Sequence, residues 1–254
     1  MIETLYIAES GLNSQQKMID VISNNIANIS TQGFKKANVG FIEMLSVPSS
    51  EFIDQPQTDS GRGVQVSQVL LDFRNGEMKQ TGHPLDVAIN GEGFVPVQLA
   101  DGTDAYSRAG RMSVDAEGYL TTAQGQRLAA SIQIPPESTD LTITQSGSVL
   151  ARVQGSPELI ELGRIELVRF SHPSGLKAKE SNVYLATAAA GNASFSEPGQ
   201  AGAGNLVQGY TEMSNVSMNE EMVSLMLAQR GYQLNARLVQ VADQVLETIN
   251  NIRR

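Results

Sequence analysis

The sequence predicts an α+β fold, in which a discontinuous coiled-coil domain built from N- and C-terminal helices accompanies a central antiparallel all-β domain. Three observations support this prediction. Apolar residues recur at helical spacing near the start of the chain, and they do so again near its end. Between these two ends, short alternating runs are broken by Gly, Asn, Asp and Pro, which is typical of antiparallel strands.

The first predicted helix follows a heptad pattern. Apolar residues recur every seven positions, at Leu5, Leu12, Ile19 and Ile26, and Ile22 belongs to the same pattern. At 100° per residue the apolar positions cover an arc of roughly 200°, wider than the ~100° stripe that a single core requires. We therefore expect this helix to contact more than one neighbour. Two polar residues, Gln15 and Asn25, project into the apolar arc.

Asparagines gather where this helix is predicted to end, in the stretch NNIAN at residues 24–28. A buried amide fixes register, because only a correctly aligned neighbour satisfies its hydrogen bonds, and Asn25 is placed for this role. Asn28 lies close to Thr31 and Gly33, which allow the chain to leave the helix through a left-handed residue. We expect Asn25 and Asn28 to set register. The alternative is a solvated, frayed last turn.

The closing helix is predicted to begin near Ser217 and to reach Ile252. Ser217 and Glu220 fit a capping box, and acidic residues in the first turn suit the positive end of the helix dipole. At 1.5 Å per residue the helix is about 54 Å long, so part of it must protrude or be covered by something else. Its apolar residues step by threes and fours and include Leu227, Leu234, Leu238, Val241 and Val245.

Seven segments of the middle region are predicted to be strands: 63–73, 85–89, 93–99, 105–115, 119–123, 141–145 and 164–170. The dipeptides Asp101-Gly102 and Glu117-Gly118 are predicted hairpin turns. Segments 46–62 and 188–205 have the composition of linkers. The predicted organisation is a coiled-coil helix (1–34), a linker with an extended β segment (35–82), the β domain (83–187), a return linker (188–213) and a second coiled-coil helix (214–254).

Composition excludes several classes of function. The 27 acidic and 18 basic residues give a formal charge of -9, which opposes binding to nucleic acid or to anionic membranes. The chain has no cysteine, which excludes disulfides and thiolate metal sites. The N-terminal residues lack the pattern of a cleaved secretory signal, and no apolar run is long enough to span a membrane. If the protein is exported, we expect another route to carry it.

No catalytic, cofactor-binding or metal-binding residue is predicted. The two histidines, His83 and His172, each precede a proline and are expected in turns. The stretch DGTD at 101–104 lacks the spacing of a calcium loop, and NGEGFV at 90–95 lacks the third glycine and the helix of a dinucleotide site. Lys35 and Lys36 are interpreted as charges that complement the negative end of the first helix.

The two apolar helices allow two interpretations. They can form a self-contained hairpin, or they can leave apolar surface that is covered only when copies associate head to tail into an open filament. For the second hypothesis we expect the self-association layer to contain Leu5, Leu12, Ile19, Ile22, Asn25, Ile26, Asn28, Leu227, Leu234, Leu238, Val241 and Val245. A β-domain binding module or adhesin with a helical stalk, stable as a monomer, is the alternative from another class.

Three stretches of the chain resemble the bacterial flagellar rod and hook protein family. Residues 10–41 contain NNIAN followed by T-x-GFK, and residues 76–97 contain TGHPLDVAINGEGF. Residues 206–249 contain the E-x-S-N-V motif, beginning at Glu212, and the Q-R-x-Y-x-x-N motif, beginning at Gln229. The resemblance covers nearly the whole chain and is strongest to the distal rod members. The linker between Phe41 and Val64 is shorter than expected of the distal rod members. The proximal rod members are therefore the alternative within the family.

This resemblance implies a structural subunit without enzymatic activity. Within the family, the terminal helices form an inner coiled-coil layer around the export channel, and the assembled subunits form a drive shaft that transmits torque from motor to hook. The implied partners are copies of the chain itself, the proximal rod proteins, the hook protein, and the proteins of the P ring and L ring. The implied location is the basal-body rod in the periplasm, reached by the flagellar type III apparatus without cleavage.

Overall fold

The computed structural model describes residues 2–45, 61–153 and 158–252 of the chain. The described residues divide into two units. The helical unit comprises Met1–Ala27, Ala37–Leu70 and Ser217–Arg254, and the β unit comprises Asn28–Lys36 and Leu71–Val216. The chain therefore has helices at both ends and antiparallel sheets between them, which confirms the predicted α+β class. Most of the predicted linker at 46–62 lies outside the described residues.

The helical unit is built on two long helices, α1 (Ile2–Ala27) and α2 (Met218–Ile252). Asn25 of α1 lies against Glu221 of α2, and Gly11 lies against Asn235. Because residue numbers rise along one helix as they fall along the other, α1 and α2 pack antiparallel. The predicted bounds of α2 are confirmed to within one residue at its start.

Strands β1 (Ala37–Leu45) and β2 (Gly61–Leu71) pair with each other and provide a second neighbour for α1. The Ser14 hydroxyl donates to the carbonyl of Val64 at 3.3 Å, and the Val64 amide donates to the Ser10 hydroxyl at 3.2 Å. With α2 on one side and β2 on another, the prediction that the first helix contacts more than one neighbour is confirmed.

The chain leaves α1 through a short turn at the start of the β unit. The Thr31 amide donates to the carbonyl of Asn28 at 3.1 Å, and Gly33 adopts a φ of 67°. A Cβ at Gly33 would also lie 2.9 Å from the carbonyl oxygen of Arg108. Glycine is required there both by the left-handed backbone and by the close approach. The predicted exit through a left-handed residue is confirmed.

The described residues of the β unit form sixteen strands, most of them only three to six residues long. They are β3 (Met78–Gln80), β4 (Val87–Asn90), β5 (Val95–Gln98), β6 (Asp104–Ser107), β7 (Met112–Val114), β8 (Leu120–Thr122), β9 (Arg127–Leu128), β10 (Ser138–Ile143), β11 (Ser148–Val153), β12 (Leu159–Arg164), β13 (Leu167–Phe170), β14 (Lys177–Lys179), β15 (Val183–Leu185), β16 (Ala193–Ser196), β17 (Asn205–Gln208) and β18 (Tyr210–Glu212). Three 3-10 turns also occur, at Pro173–Gly175, Glu180–Asn182 and Ala188–Ala190.

The largest sheet of the β unit has seven strands in the order β14-β15-β6-β5-β9-β8-β7. A three-stranded sheet follows the order β10-β11-β12, and β13-β16, β17-β4 and β18-β3 form pairs. The main core is formed by aliphatic residues such as Val97, Leu120 and Leu206. A second cluster is aromatic and includes Phe94, Phe170 and Tyr184, whose rings meet edge to face.

The predicted hairpins at Asp101-Gly102 and Glu117-Gly118 are present between β5 and β6 and between β7 and β8. The predicted strand at 105–115 is broken in two. Gly110 lies in the break, where the backbone approaches Val87 so closely that a Cβ would lie 2.6 Å from the Val87 carbonyl oxygen. Arg108 lies in the same break, and its side chain is buried.

The segment 188–213, whose composition predicts a return linker, contains β16, β17 and β18. Its small and polar residues serve the tight turns between these strands, where Gly199, Gly202 and Gly209 adopt positive φ. Short strands separated by such turns have the same average composition as a linker. Here the structure differs from the sequence-based expectation.

Candidate functional site

The most exposed apolar surface of the helical unit is a row of seven side chains on α2, here called the α2 stripe. Each member is between 41% and 62% exposed, and the members are Val223, Leu227, Leu234, Leu238, Val241, Val245 and Ile249. At 100° per residue they fall within an arc of about 80°. The residues of α2 that contact α1, among them Glu221 and Asn235, are centred about 100° away around the helix.

The α2 stripe has the character of an interaction surface. Full burial of a Val, Leu or Ile side chain contributes about 1.5–3 kcal/mol, so seven such residues in one row represent a large unrealised gain. A contiguous apolar patch of this length is uncommon on a protein that remains a monomer. The five α2 residues predicted for self-association all belong to this stripe.

The predicted α1 residues divide into two groups. Leu5, Leu12, Ile19 and Ile26 are half-buried and form a row along one edge of α1. Ile22 is only 5% exposed and lies in the interior of the helical unit. The α1 row therefore retains surface that another molecule can contact. Ile22 does not, and it stabilises the packing of the chain's own helices.

Asn25 is buried and makes all its hydrogen bonds within its own chain. Its Nδ2 donates to the carbonyl of Ala37 at 2.9 Å and to Glu221 Oε2 at 3.1 Å, while its Oδ1 accepts from the Ala37 amide at 3.0 Å. The Asn25 side chain thus bonds both backbone groups of Ala37, at the start of β1, as a neighbouring strand would. Asn25 joins α1, β1 and α2 and is only 1% exposed, while a role for it in setting register stays a prediction.

Asn28 lies one residue beyond the end of α1. Its Oδ1 accepts a hydrogen bond from the Thr31 hydroxyl at 3.1 Å, and its carbonyl accepts from the Thr31 amide. These two bonds hold the turn that leads to Gly33. The structure therefore places Asn28 in helix termination, and a register role for it between copies stays a prediction.

The β unit contains a buried cluster of three charged side chains, here called the charge cluster: Lys35, Arg108 and Glu212. Lys35 Nζ lies 2.7 Å from Glu212 Oε1, and Arg108 Nε lies 2.7 Å from Glu212 Oε2. Their side chains are 0%, 2% and 1% exposed, in the order Lys35, Arg108, Glu212. Buried charges of this kind persist only when each is paired and hydrogen-bonded.

Backbone groups satisfy the remaining hydrogen-bonding capacity of the charge cluster. Lys35 Nζ donates to the carbonyl of Arg74 at 2.8 Å, and the Gly76 amide donates to Glu212 Oε1 at 2.8 Å. The Arg108 guanidinium also donates to Asn75 Oδ1 and to the carbonyls of two glycines, Gly91 and Gly93. One carboxylate and two cations therefore tie Lys35, Arg108 and Glu212 to the segments at 74–76 and 91–93.

The electrostatics of the cluster are dominated by burial and by its excess of positive charge. Burial lowers the pKa of the Lys35 ammonium from 10.5 to about 8, and the nearby Arg108 charge acts in the same direction. The Glu212 carboxylate opposes this change by its charge and its hydrogen bond. Burial also raises the pKa of the adjacent Tyr184 hydroxyl.

The interpretation of Lys35 as a helix-end charge is wrong. The helix ends at Ala27, and Lys35 lies in the interior of the β unit because Glu212 and the Arg74 carbonyl compensate its charge. Two motifs of the sequence resemblance give a signal that points to this pair. Lys35 is the last residue of T-x-GFK, and Glu212 is the first residue of E-x-S-N-V.

A second pairing joins the same two motifs. The Lys36 amide donates to Asn215 Oδ1 at 2.7 Å, and Asn215 Nδ2 donates to the carbonyl of Asp72 at 2.8 Å. The Gly33 amide donates to the carbonyl of Glu212 at 2.8 Å. The two motifs, remote in the sequence, therefore form one structural element of the β unit.

The potential metal ligands in the part of the chain described here are dispersed. No three acidic, histidine or cysteine side chains in it are grouped so that they could hold a metal ion. A cleft of about 460 Å³ in the β unit is lined by Phe94, Arg108, Arg169 and neighbouring residues, but neither His83 nor His172 lines it. Within these residues, neither helix combines the length and apolar character needed to cross a bilayer.

Three family models match the chain. The model described as flagella basal body rod protein matches residues 5–35, which include most of α1. The flagellar hook protein FlgE/F/G D1 domain matches residues 88–151 of the β unit. The flagellar basal body rod FlgEFG protein C-terminal model matches residues 207–252, which include β18 and α2.

Curated relatives match over their full length. The flagellar basal-body rod protein FlgG of Borreliella burgdorferi is 38% identical, with 100% of both chains covered. The FlgG protein of Caulobacter vibrioides is 37% identical over 99% of this chain and 100% of its own. That of Bacillus subtilis is 34% identical, again with 100% of both chains covered.

Proposed function

Because the chain belongs to the FlgG family of flagellar basal-body rod proteins, and is thus a structural subunit of the distal rod, we propose that it polymerises into a helical tubular drive shaft. In this proposal the terminal helices form an inner coiled-coil layer and the β units lie outside it. The shaft transmits torque from the motor to the hook. The family is a structural one, and we propose no catalytic role for this member.

The single observation that carries the proposal is the α2 stripe. Its seven apolar side chains are exposed although α2 already packs against α1 through a different face. A second copy of the same chain offers a matching apolar surface in the α1 row of Leu5, Leu12, Ile19 and Ile26. A contact between two different surfaces of identical chains is heterologous, and it generates an open helical filament when the rotation does not close.

Transmission of torque through such a filament depends on many close contacts between subunits and not on any single side chain. Packed interfaces have the density of protein interiors, so they resist deformation in the same way. The buried charge cluster and the Asn25 hydrogen bonds make each unit resistant to local opening, because each ties together segments that are distant in the sequence. A stiff shaft follows from stiff units joined by packed contacts.

Further neighbours are proposed from the family. Flagellar rod proteins assemble with other basal-body components, and the specific neighbours proposed for this chain are the proximal rod proteins, the hook protein and the P-ring and L-ring proteins. We propose that it reaches the rod through the flagellar type III apparatus without cleavage. A proximal rod position has less support, because the full-length relatives described above are FlgG proteins.

Electron microscopy of the concentrated, full-length protein tests the proposal. We expect tubes with a central channel, in which both terminal helices lie at the inner radius and the β unit lies at the outer radius. Discrete particles without helical order would contradict the proposal and would favour a monomeric binding module or adhesin. Tubes in which the β units make the inner wall would contradict the assignment of the α2 stripe.

A further inference from the structure

Two of the polar side chains in the interface between α1 and α2 each face a glycine. Gln15 of α1 packs against Gly231 of α2, where an added Cβ would lie 3.0 Å from Gln15 Nε2. Asn235 of α2 packs against Gly11 of α1, where an added Cβ would lie 2.6 Å from Asn235 Nδ2. Each helix therefore contributes one glycine and one amide side chain.

The arrangement is reciprocal. On each helix the glycine precedes the amide residue by four positions, which places both on one face. Because the helices are antiparallel, the glycine of one helix lies opposite the amide residue of the other at both positions. Gln15 Oε1 is buried and has no hydrogen-bond partner among the described residues, so this polar group occupies the interface at a cost in stability.

We propose that Gly11, Gln15, Gly231 and Asn235 form a register lock that fixes the alignment of α1 with α2. Each glycine leaves open the space that one amide side chain occupies in this alignment, because an added Cβ would lie 2.6 Å or 3.0 Å from that side chain. Glycine is otherwise unfavourable in a helix interior by roughly 1 kcal/mol relative to alanine. The lock explains why glycine is present at these two positions in spite of that cost.

A shift of one helical turn in either direction breaks the lock. One shift brings Gln15 opposite Asn235, so that two amide side chains compete for one space. The other shift brings Gly11 opposite Gly231, which leaves a void, and directs Asn235 toward Ile7. Both alternatives lose packing contacts that the observed alignment makes.

The lock deepens the proposed function and rests on it in one respect. The alignment of the helices sets the offset along the helix axis between the α1 row and the α2 stripe, the two surfaces through which copies would meet in the proposed filament. The lock itself acts within one chain. Its test therefore measures the helical unit and requires no assembly.

The substitution Gly11→Ala, made in the full-length chain, tests whether the lock requires glycine at this position. A position that merely tolerates glycine and a position in the lock predict changes of opposite sign in the melting temperature. Helix propensity alone predicts a melting temperature raised by about 2–4 °C. The lock predicts a lowered melting temperature. Circular dichroism at 222 nm, at low protein concentration, measures it. Gly231→Ala is expected to lower it less, because the longer Gln15 side chain can move aside more easily.

A second variant tests the pairing directly. Adding Asn235→Ala to Gly11→Ala removes the side chain that the new Cβ meets, so Asn235→Ala is expected to raise the melting temperature more in Gly11→Ala than in the unmodified protein. Ser23→Ala, at an exposed position of α1, is the matched control for helix propensity. If Gly11→Ala fails to fold, the lock predicts that the double variant folds.

The lock is overturned if Gly11→Ala raises the melting temperature as Ser23→Ala does. It is also overturned if Asn235→Ala gives no recovery. Neither result bears on self-association through the α2 stripe, which is measured by particle mass. Failure of the lock and failure of the proposed function are therefore distinguishable.

Discussion

Glu212 and Lys35 form an ion pair of 2.7 Å in the interior of the β unit, although 177 positions separate them in the sequence. Lys35 follows the turn that ends α1, and Glu212 ends β18, shortly before α2 begins. Arg108 completes the cluster from a third segment. The charge cluster therefore joins the first and the last segments of the β unit along the chain.

Removal of the carboxylate is expected to damage the charge cluster most. Glu212→Gln leaves two buried cations without a compensating charge, and a loss of about 3–5 kcal/mol in the free energy of unfolding is expected. Lys35→Met leaves Arg108 and Glu212 as a pair without net charge. Its loss in the free energy of unfolding should therefore be clearly smaller than that of Glu212→Gln. Urea unfolding followed by circular dichroism measures both values.

A surface ion pair provides the control for this comparison. Glu117 pairs with Arg127 at 2.6 Å, but its side chain is 66% exposed. Glu117→Gln is therefore expected to change stability by no more than about 1 kcal/mol. Equal losses for Glu212→Gln and Lys35→Met would contradict our assignment of Glu212 as the compensating charge.

The lowered pKa of Lys35 predicts an unusual dependence of stability on pH. Between about pH 8 and 10.5 the unfolded chain holds a proton on this lysine that the folded protein has released, so stability rises with pH. Below pH 8 both states are protonated, and the folded state carries the full cost of a buried ammonium. The Lys35 contribution to stability is thus least favourable at neutral pH.

Comparison with Lys35→Met isolates this effect. The free energy of unfolding of the unmodified protein should rise relative to that of the variant from pH 8 to about 9.5. Measurements above pH 10 are complicated by Tyr184, whose raised pKa makes the folded state lose stability when the unfolded tyrosine ionises. A difference that stays constant across this range would show that Lys35 titrates normally.

The Asn25 hydrogen bonds predict a specific sensitivity in the helical unit. Asn25→Asp removes the donor to the Ala37 carbonyl and places a carboxylate beside buried Glu221. A loss of about 1–3 kcal/mol is expected from the unsatisfied carbonyl alone, with charge repulsion in addition. The thermal transition of the helices, followed at 222 nm, measures the change.

Asn13→Asp is the matched control, because Asn13 lies on the exposed face of α1. It should leave the transition nearly unchanged. Acidification should restore part of the stability of Asn25→Asp, since protonation of one carboxyl removes the repulsion. A variant that melts like the control at neutral pH would contradict the role assigned to Asn25.

Local patterns predicted the helices well. The heptad residues of α1 and the steps of three and four in α2 each depend on neighbours within one helix, so periodicity alone identifies them. Gln15 and Asn25 were recognisable as polar residues in an apolar arc. Their partners were not, because Gly231, Ala37 and Glu221 contribute from other elements of the fold.

The charge cluster could not be predicted in this way. Lys35, Arg108 and Glu212 come from three distant segments, and no spacing within one element links them. The short strands of the β unit were missed for a related reason. Strands of three or four residues between glycine turns, such as β17 and β18, have too few residues to show alternation.

Leu234→Asp is expected to block association while leaving the fold intact. Leu234 is 61% exposed in the single chain, so a charge there is harmless until another molecule covers it. Gln233→Asp, at the adjacent exposed position outside the α2 stripe, is the control and should assemble normally. Pelleting by ultracentrifugation, together with circular dichroism, separates loss of assembly from loss of folding.

The mass of the full-length protein as a function of concentration, measured by light scattering, tests the central claim most directly. If the α2 stripe is covered only by other copies, the unmodified protein should grow in mass without reaching a closed oligomer, and Leu234→Asp should remain a monomer. An unmodified protein that stays monomeric with both helices ordered at high concentration would contradict the proposed role in the rod.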